Sequence, residues 1–256
     1  MKIISAFAFI PAAIRSTFSN FRLVGFWFIS LALVSIIRSD VLNQQILGSL
    51  FGGLGIGEWF DKMELTVSIL WLFFCFTLLV GGTSYRMWDS NKTPKFSMLD
   101  AFRAGSDYFV PSILIASVLL ISFFFIKLIC ILSHFSFLEF FVAGYLALWF
   151  AQVGKGVDVS SAFKGAGSLL GIRLGATLIY FGYFIVIYAF VLPSEIVYGL
   201  IFLASKRYAL PALVNKWLLF GHSIWVDLLH SGLIVFSLAL AVEFIRQMGE
   251  EKKNRE

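Results

Sequence analysis

The chain has 256 residues, 59% of them hydrophobic and 14% charged, with 30 phenylalanines and a formal charge of +5. So few polar residues cannot cover a water-soluble globule of this length, and the composition predicts a protein built in lipid. Lys and Arg flank the apolar runs and do not interleave with exposed aromatics, which argues for topogenic charge and against nucleic-acid binding.

The first element predicted is an amphipathic helix at the N-terminus, with Ile3, Phe7, Ile10, Ile14 and Phe18 recurring at three- and four-residue steps and Ser5, Arg15, Ser16 and Ser19 elsewhere on the wheel. Its organised polar face favours a retained helix lying in the cytoplasmic interface over a cleaved signal peptide. A first span follows over Leu23 to Ile37, extending back through Phe21. The segment Val41 to Glu64 is too polar at its ends to cross and too apolar to float free, so it reads as an outer interfacial or re-entrant loop with Trp59 at headgroup level. A second span is predicted over Leu65 to Val80, closed by Gly81-Gly82 and the basic stretch Tyr85 to Lys95.

The third span runs from Phe109 to Leu132 and the fourth from Phe137 to Ala151, joined through Ser133, His134, Phe135 and Ser136 as an antiparallel hairpin. A fifth covers Gly171 to Leu192 and is expected to stop at Pro193-Ser194-Glu195. Val197 to Leu213 is apolar but interrupted by Lys206-Arg207, and a last span runs from Leu229 to Phe244 before a charged tail. The fold class expected is thus an all-α, polytopic transmembrane bundle forming one domain over residues 1–256, with six or seven spans and short amphipathic interfacial helices. Counting cations on the two sides favours six, with the N-terminus, Arg86 to Lys95, Lys155 to Arg173 and the tail in the cytoplasm of a bacterial inner membrane.

An internal regularity links AFRAGSDYFVPSILIAS at Ala101 with AFKGAGSLLGIRLGATL at Ala162, an offset of 61 residues. Both begin Ala-Phe-cation, with Arg103 in one and Lys164 in the other, and both lead through small residues into a span. The same offset carries Val153-Gly154-Lys155 onto Val214-Asn215-Lys216 and Ala162 onto Ser223. The unit is a short amphipathic helix, a span, an outer turn and a returning span, and the N-terminal helix opens a first copy.

Charges placed in lipid are candidates for function. Lys127 and Glu139 flank the outer turn between the third and fourth spans and are expected to pair. Lys206 and Arg207 either lie mid-span, needing an acidic partner such as Glu195 or a lipid phosphate, or end an interfacial helix. Gly167, Gly171 and Gly175 form a small-xxx-small stripe suited to a close helix contact, within the chain or with another subunit. His134, His222 and His230 lack metal-ligand spacing, Cys75 and Cys130 sit in apolar runs, and GGLGIG at Gly52 lacks a βαβ context. No catalytic, cofactor-binding or metal site is therefore expected.

The repeated Ala-Phe-cation helices, together with RYALPALV, make Phe96 to Val242 resemble a group of uncharacterised bacterial membrane proteins. These are similar to the membrane domains attached to some glycerophosphodiester phosphodiesterases. The resemblance implies a membrane module and assigns no residue a role. The expectation for function is a non-catalytic structural or accessory subunit of a membrane assembly, a possible homo-oligomer whose partners are other membrane subunits and lipids. A small transporter or channel subunit is the second reading, and a lipid-modifying enzyme the third.

Overall fold

The computed structural model describes residues 8–37, most of 71–89 and 97–118, 138–208 and 211–253, all helical apart from their connections. The helices are α1 (Phe9–Ser19), α2 (Phe21–Ile37), α3 (residues 77–88), α4 (Met98–Ser106), α5 (Leu138–Gly154), α6 (Val159–Leu170), α7 (Leu174–Tyr208) and α8 (Ala212–Lys253). The expected outer loop Val41 to Glu64, Lys127, His134 and most of the third span lie outside the described residues. The chain divides into two compact units. One unites Met1–Leu23, Phe76–Ile187 and Leu233–Glu256, the other Val24–Cys75 and Tyr188–Gly232.

By length and composition, Leu213–Glu251 within α8 is apolar enough to cross a membrane, and the bent pairs α1–α2 and α6–α7 qualify if each counts as one span. α5 contributes a shorter apolar helix over Phe141–Gly154. The described residues thus form an all-helical architecture with one helix long and apolar enough to cross a membrane, or up to three if each bent pair is one span.

The breaks have identifiable causes. Between α1 and α2, Asn20 leaves the helical path and its side-chain amide donates to the Ser16 carbonyl at 2.9 Å, meeting an acceptor that the helix end exposes. Between α6 and α7 the chain turns by 110° at residues 171–173, and the Thr177 hydroxyl donates back to the Leu170 carbonyl at 2.8 Å. α5 ends at Gly154, and the turn after it passes through Gly156, whose φ of +91° favours a residue without a side chain.

Two corrections concern stop signals. Gly81-Gly82 does not close the second span, because α3 continues through both to residue 88. A methyl group on Gly82 would collide with the Ala101 carbonyl, and one on Gly105 with the Leu78 carbonyl, so these glycines let α3 and α4 cross at backbone distance. Pro193 does not end the fifth span either: α7 runs through it to Tyr208. Residues 197–208 of the returning span that a seven-span arrangement would need accordingly belong to α7 and not to a separate element. α8 begins at Ala212, and α7 and α8 pair within each unit. In the second unit His222 Nε2 donates to the Ser194 carbonyl at 2.8 Å and its ring lies 5.6 Å from Tyr198. In the first unit Tyr180 stacks on Phe244 at 4.7 Å.

The repeat acquires a structural form. The N-caps of α4 and α6 are Ser97 and Asp158, again 61 residues apart. Ala101 and Ala162 are fully buried, and their partners one turn on, Gly105 and Ala166, are buried too. α1 carries the same pattern in Ala13-Ile14-Arg15, with Ala13 also fully buried. The copy expected around Ser223 departs from it, since α8 passes through that position unbroken.

Candidate functional site

The densest polar cluster in the described part of the first unit gathers at the C-terminal end of α3, where helix carbonyls lack intrahelical partners. Arg246 of α8 answers this need: its guanidinium donates to the Met87 and Trp88 carbonyls, each at 2.9 Å, and to Glu243 at 2.6 Å. A positive charge there also opposes the negative end of the α3 dipole. The Trp88 indole is flanked by two cations, Lys155 Nζ at 4.9 Å and the Arg246 guanidinium carbon at 5.3 Å from the ring centre. Its N–H donates to the Ala151 carbonyl at 2.7 Å, tying α3 to α5.

Around this centre each polar side chain joins two elements. Buried Arg86 donates to Asn20 Oδ1 at 3.0 Å, and the Ser16 hydroxyl lies 3.2 Å from Met87 Sδ, so α1 is held to α3. The Phe9 amide donates to Gln247 Oε1 at 3.1 Å, capping the N-terminus of α1 with a side chain of α8. Arg173, in the connection between α6 and α7, pairs with Glu251 of α8 at 2.9 Å. The arrangement binds four helices, α1, α3, α5 and α8, and the connection between α6 and α7 by directional bonds.

Two carboxylates outside the bundle hold the starts of the amphipathic helices. Asp100 and Ser97 form a reciprocal capping box, and the bonds from the Ser97 hydroxyl and amide hold the Asp100 carboxyl below its usual range. Asp158 accepts from the Ser160 and Ser161 amides at 3.1 Å each, and Ser161 chiefly lowers its carboxyl in the same direction.

The residues singled out from sequence have a different distribution. Gly167, Gly171 and Gly175 are exposed: among the described residues a methyl on Gly167 would reach the Tyr145 hydroxyl of α5 at 3.5 Å, one on Gly171 only the Ser168 carbonyl of its own helix, and one on Gly175 nothing within 4 Å. Among the described residues, then, no backbone-to-backbone helix contact runs along this stripe. The 110° turn at 171–173 also removes the regular helical register that a stripe requires. Close approach falls instead on Gly82 and Gly105, and on Gly154 against Ser84.

Glu139 lies in the first turn of α5, its side chain outside the described residues, and its expected partner Lys127 is outside them altogether. Lys206 and Arg207 occupy the last turn of α7, where a helix C-terminus favours cations; Arg207 is exposed and the Lys206 side chain is not described. Among the described residues, no group of three or more His, Cys, Asp or Glu side chains is placed to hold a metal ion.

Sequence reasoning missed Trp88. A signal existed, because Trp88 and Trp149 are related by the same 61-residue offset, and both indoles donate to a backbone carbonyl of another helix, Trp88 to Ala151 of α5 and Trp149 to Val159 of α6 at 2.9 Å. The chain matches no family model, and neither a curated protein nor a solved structure matches it.

Proposed function

We propose that the chain is a non-catalytic structural or accessory subunit of a membrane protein assembly, residing in a bacterial cytoplasmic membrane with six spans and both ends in the cytoplasm. The observation that carries this reading is the polar cluster around Trp88. There Arg86, Arg173, Arg246, Gln247 and Glu251 are engaged in bonds that fasten helix to helix, which is the work of a scaffold. The bond from Arg246 to the Met87 carbonyl supports the even number of spans. It keeps the start of the tail beside the end of α3, which leads into the basic stretch, whereas seven spans would put the two on opposite sides.

Purification of the full chain in mild detergent, followed by identification of what co-purifies, tests the proposal. Another membrane protein in fixed proportion is expected. Recovery of the chain alone, together with solute or ion flux in proteoliposomes, would overturn it.

A second reading, a small transporter or channel subunit, draws on Asp227. This carboxyl lies within the apolar stretch of α8, hydrogen-bonds Ser35, and has Oδ2 buried with no partner among the described residues. Such a group in lipid is a candidate for an ion path. Flux abolished by Asp227→Asn with unchanged expression would favour this reading.

A further inference from the structure

We infer that α1, α4 and α6 are three copies of one anionic-phospholipid recognition element, each offering a cation to a lipid phosphate and an apolar side chain to the acyl region beside it. The inference rests on the membrane placement proposed above.

The argument begins with helix geometry. In each copy an alanine is fully buried against the first unit: Ala13, Ala101 and Ala162. At 3.6 residues per turn, the next residue stands about 100° around the helix and the one after it about 200°, pointing away from the packed face. Those two places hold Ile14-Arg15, Phe102-Arg103 and Phe163-Lys164. All three cations are exposed; Ile14 is 43% and Phe163 46% exposed, and Phe102 is half-buried. The apolar flank extends along α1 to Phe18, 72% exposed, and along α4 to Leu99, 58% exposed.

Water would penalise such a flank, whereas the boundary between headgroups and acyl chains accommodates both halves of the pair. Charge separates this set from the neighbouring cations. Arg86, Arg173 and Arg246 turn inward to Asn20, Glu251 and Glu243, while Arg15, Arg103 and Lys164 remain on the outward faces. The chemistry that complements an outward cation beside an apolar side chain is a phosphodiester monoanion carried on a diacyl lipid. An anionic lipid supplies that charge without a compensating ammonium, so it should be preferred to a zwitterionic one.

The test uses the full chain in nanodiscs of phosphatidylcholine doped with phosphatidylglycerol, from which it is extracted and its retained lipids are identified by native mass spectrometry. The wild type is expected to retain phosphatidylglycerol about five-fold above its share of the bilayer, a preference that falls with added salt. Arg15→Gln, Arg103→Gln and Lys164→Gln combined should return retention to the bilayer share, and each single change should remove about one third of the excess. The charge-conserving set Arg15→Lys, Arg103→Lys and Lys164→Arg should keep it. Should the combined variant not purify, the single variants decide.

Retention in bilayer proportion by the wild type, or an undiminished preference in the single variants, overturns the inference. So does a polypeptide that binds through these helices and is lost on neutralisation while lipid retention stays unchanged. Failure of the membrane placement itself would be read separately, as release of the chain from membranes by an alkaline wash.

Discussion

Arg246 illustrates how one side chain can serve three partners that a sequence pattern cannot join. From sequence it forms an i, i+3 pair with Glu243, and that pair is present, but the same guanidinium also closes the end of α3 more than 150 residues away. The planar fork is what allows this, since its two terminal nitrogens, fixed in direction, address the carboxylate from one side and the two carbonyls from the other. Arg246→Ala should lower stability by about 1 to 2 kcal/mol, toward the lower figure because the side chain is part-exposed. Arg246→Lys should recover less than half of the loss. Thermal unfolding in detergent, followed by tryptophan fluorescence, measures both, and full recovery by lysine would show that charge alone matters. The exposed residues of α1 carry a related lesson. Ile10, Ile14 and Phe18 form one apolar group on a helical wheel, yet Ile10 is buried while Ile14 and Phe18 face outward. In lipid, both the protein core and the acyl region accept apolar side chains, so hydrophobicity identifies the helix without identifying its inner face.

Among the elements, the helices were readable, whereas the breaks between them and their close contacts were not. α2 begins at Phe21, where the first span was expected to extend, and α5 covers the fourth span, because unbroken apolar runs carry their own boundaries. Gly81-Gly82 and Pro193 misled for one physical reason: in a bundle, glycine permits helix contact and proline is tolerated where neighbours supply the missing bonds. Gly82→Ala should therefore cost about 1 to 3 kcal/mol by forcing α3 and α4 apart, whereas Gly175→Ala, with no atom of the described residues within 4 Å of its added methyl, should be neutral or slightly stabilising. Similar melting temperatures for the two variants would contradict the crossing. The helix starts make a pH prediction. The Asp158 carboxyl titrates below its unfolded value, so the cap contributes fully above about pH 4 to 5 and is lost as acidity passes through the folded value. Hydrogen exchange at Ser160 and Ser161 should accelerate relative to the rest of α6 when the pH falls from 6 toward 3, beyond the intrinsic change. Asp158→Asn, which caps without titrating, should abolish that excess.

For the whole molecule, the repeat was legible through Ala-Phe-cation and became structural through its caps, its buried alanines and its tryptophans; the copy at Ser223 was not realised, since neither a cap nor a break interrupts α8. The span count was legible only to within one, because Lys206 and Arg207 break an apolar run in sequence but sit at the end of a helix that passes Pro193. What bears on the count is the contact between the two ends of the problem, the Arg246 bonds to Met87 and Trp88. An even number of spans requires the basic stretch after α3, the turn after α5 and the tail to share one side of the membrane. In a background of Cys75→Ala and Cys130→Ala, single cysteines introduced at Ser90, Gly156 and Lys253 should respond alike to a membrane-impermeant thiol reagent. All three should be protected in intact cells and labelled once the membrane is opened, as the positive-inside distribution of Lys and Arg requires. Labelling at Lys253 alone from outside would make the number of spans odd. It would also mean that Arg246 cannot reach the end of α3 in the membrane, so the same variant separates the topology from the packing: Arg246→Ala would then leave thermal stability unchanged.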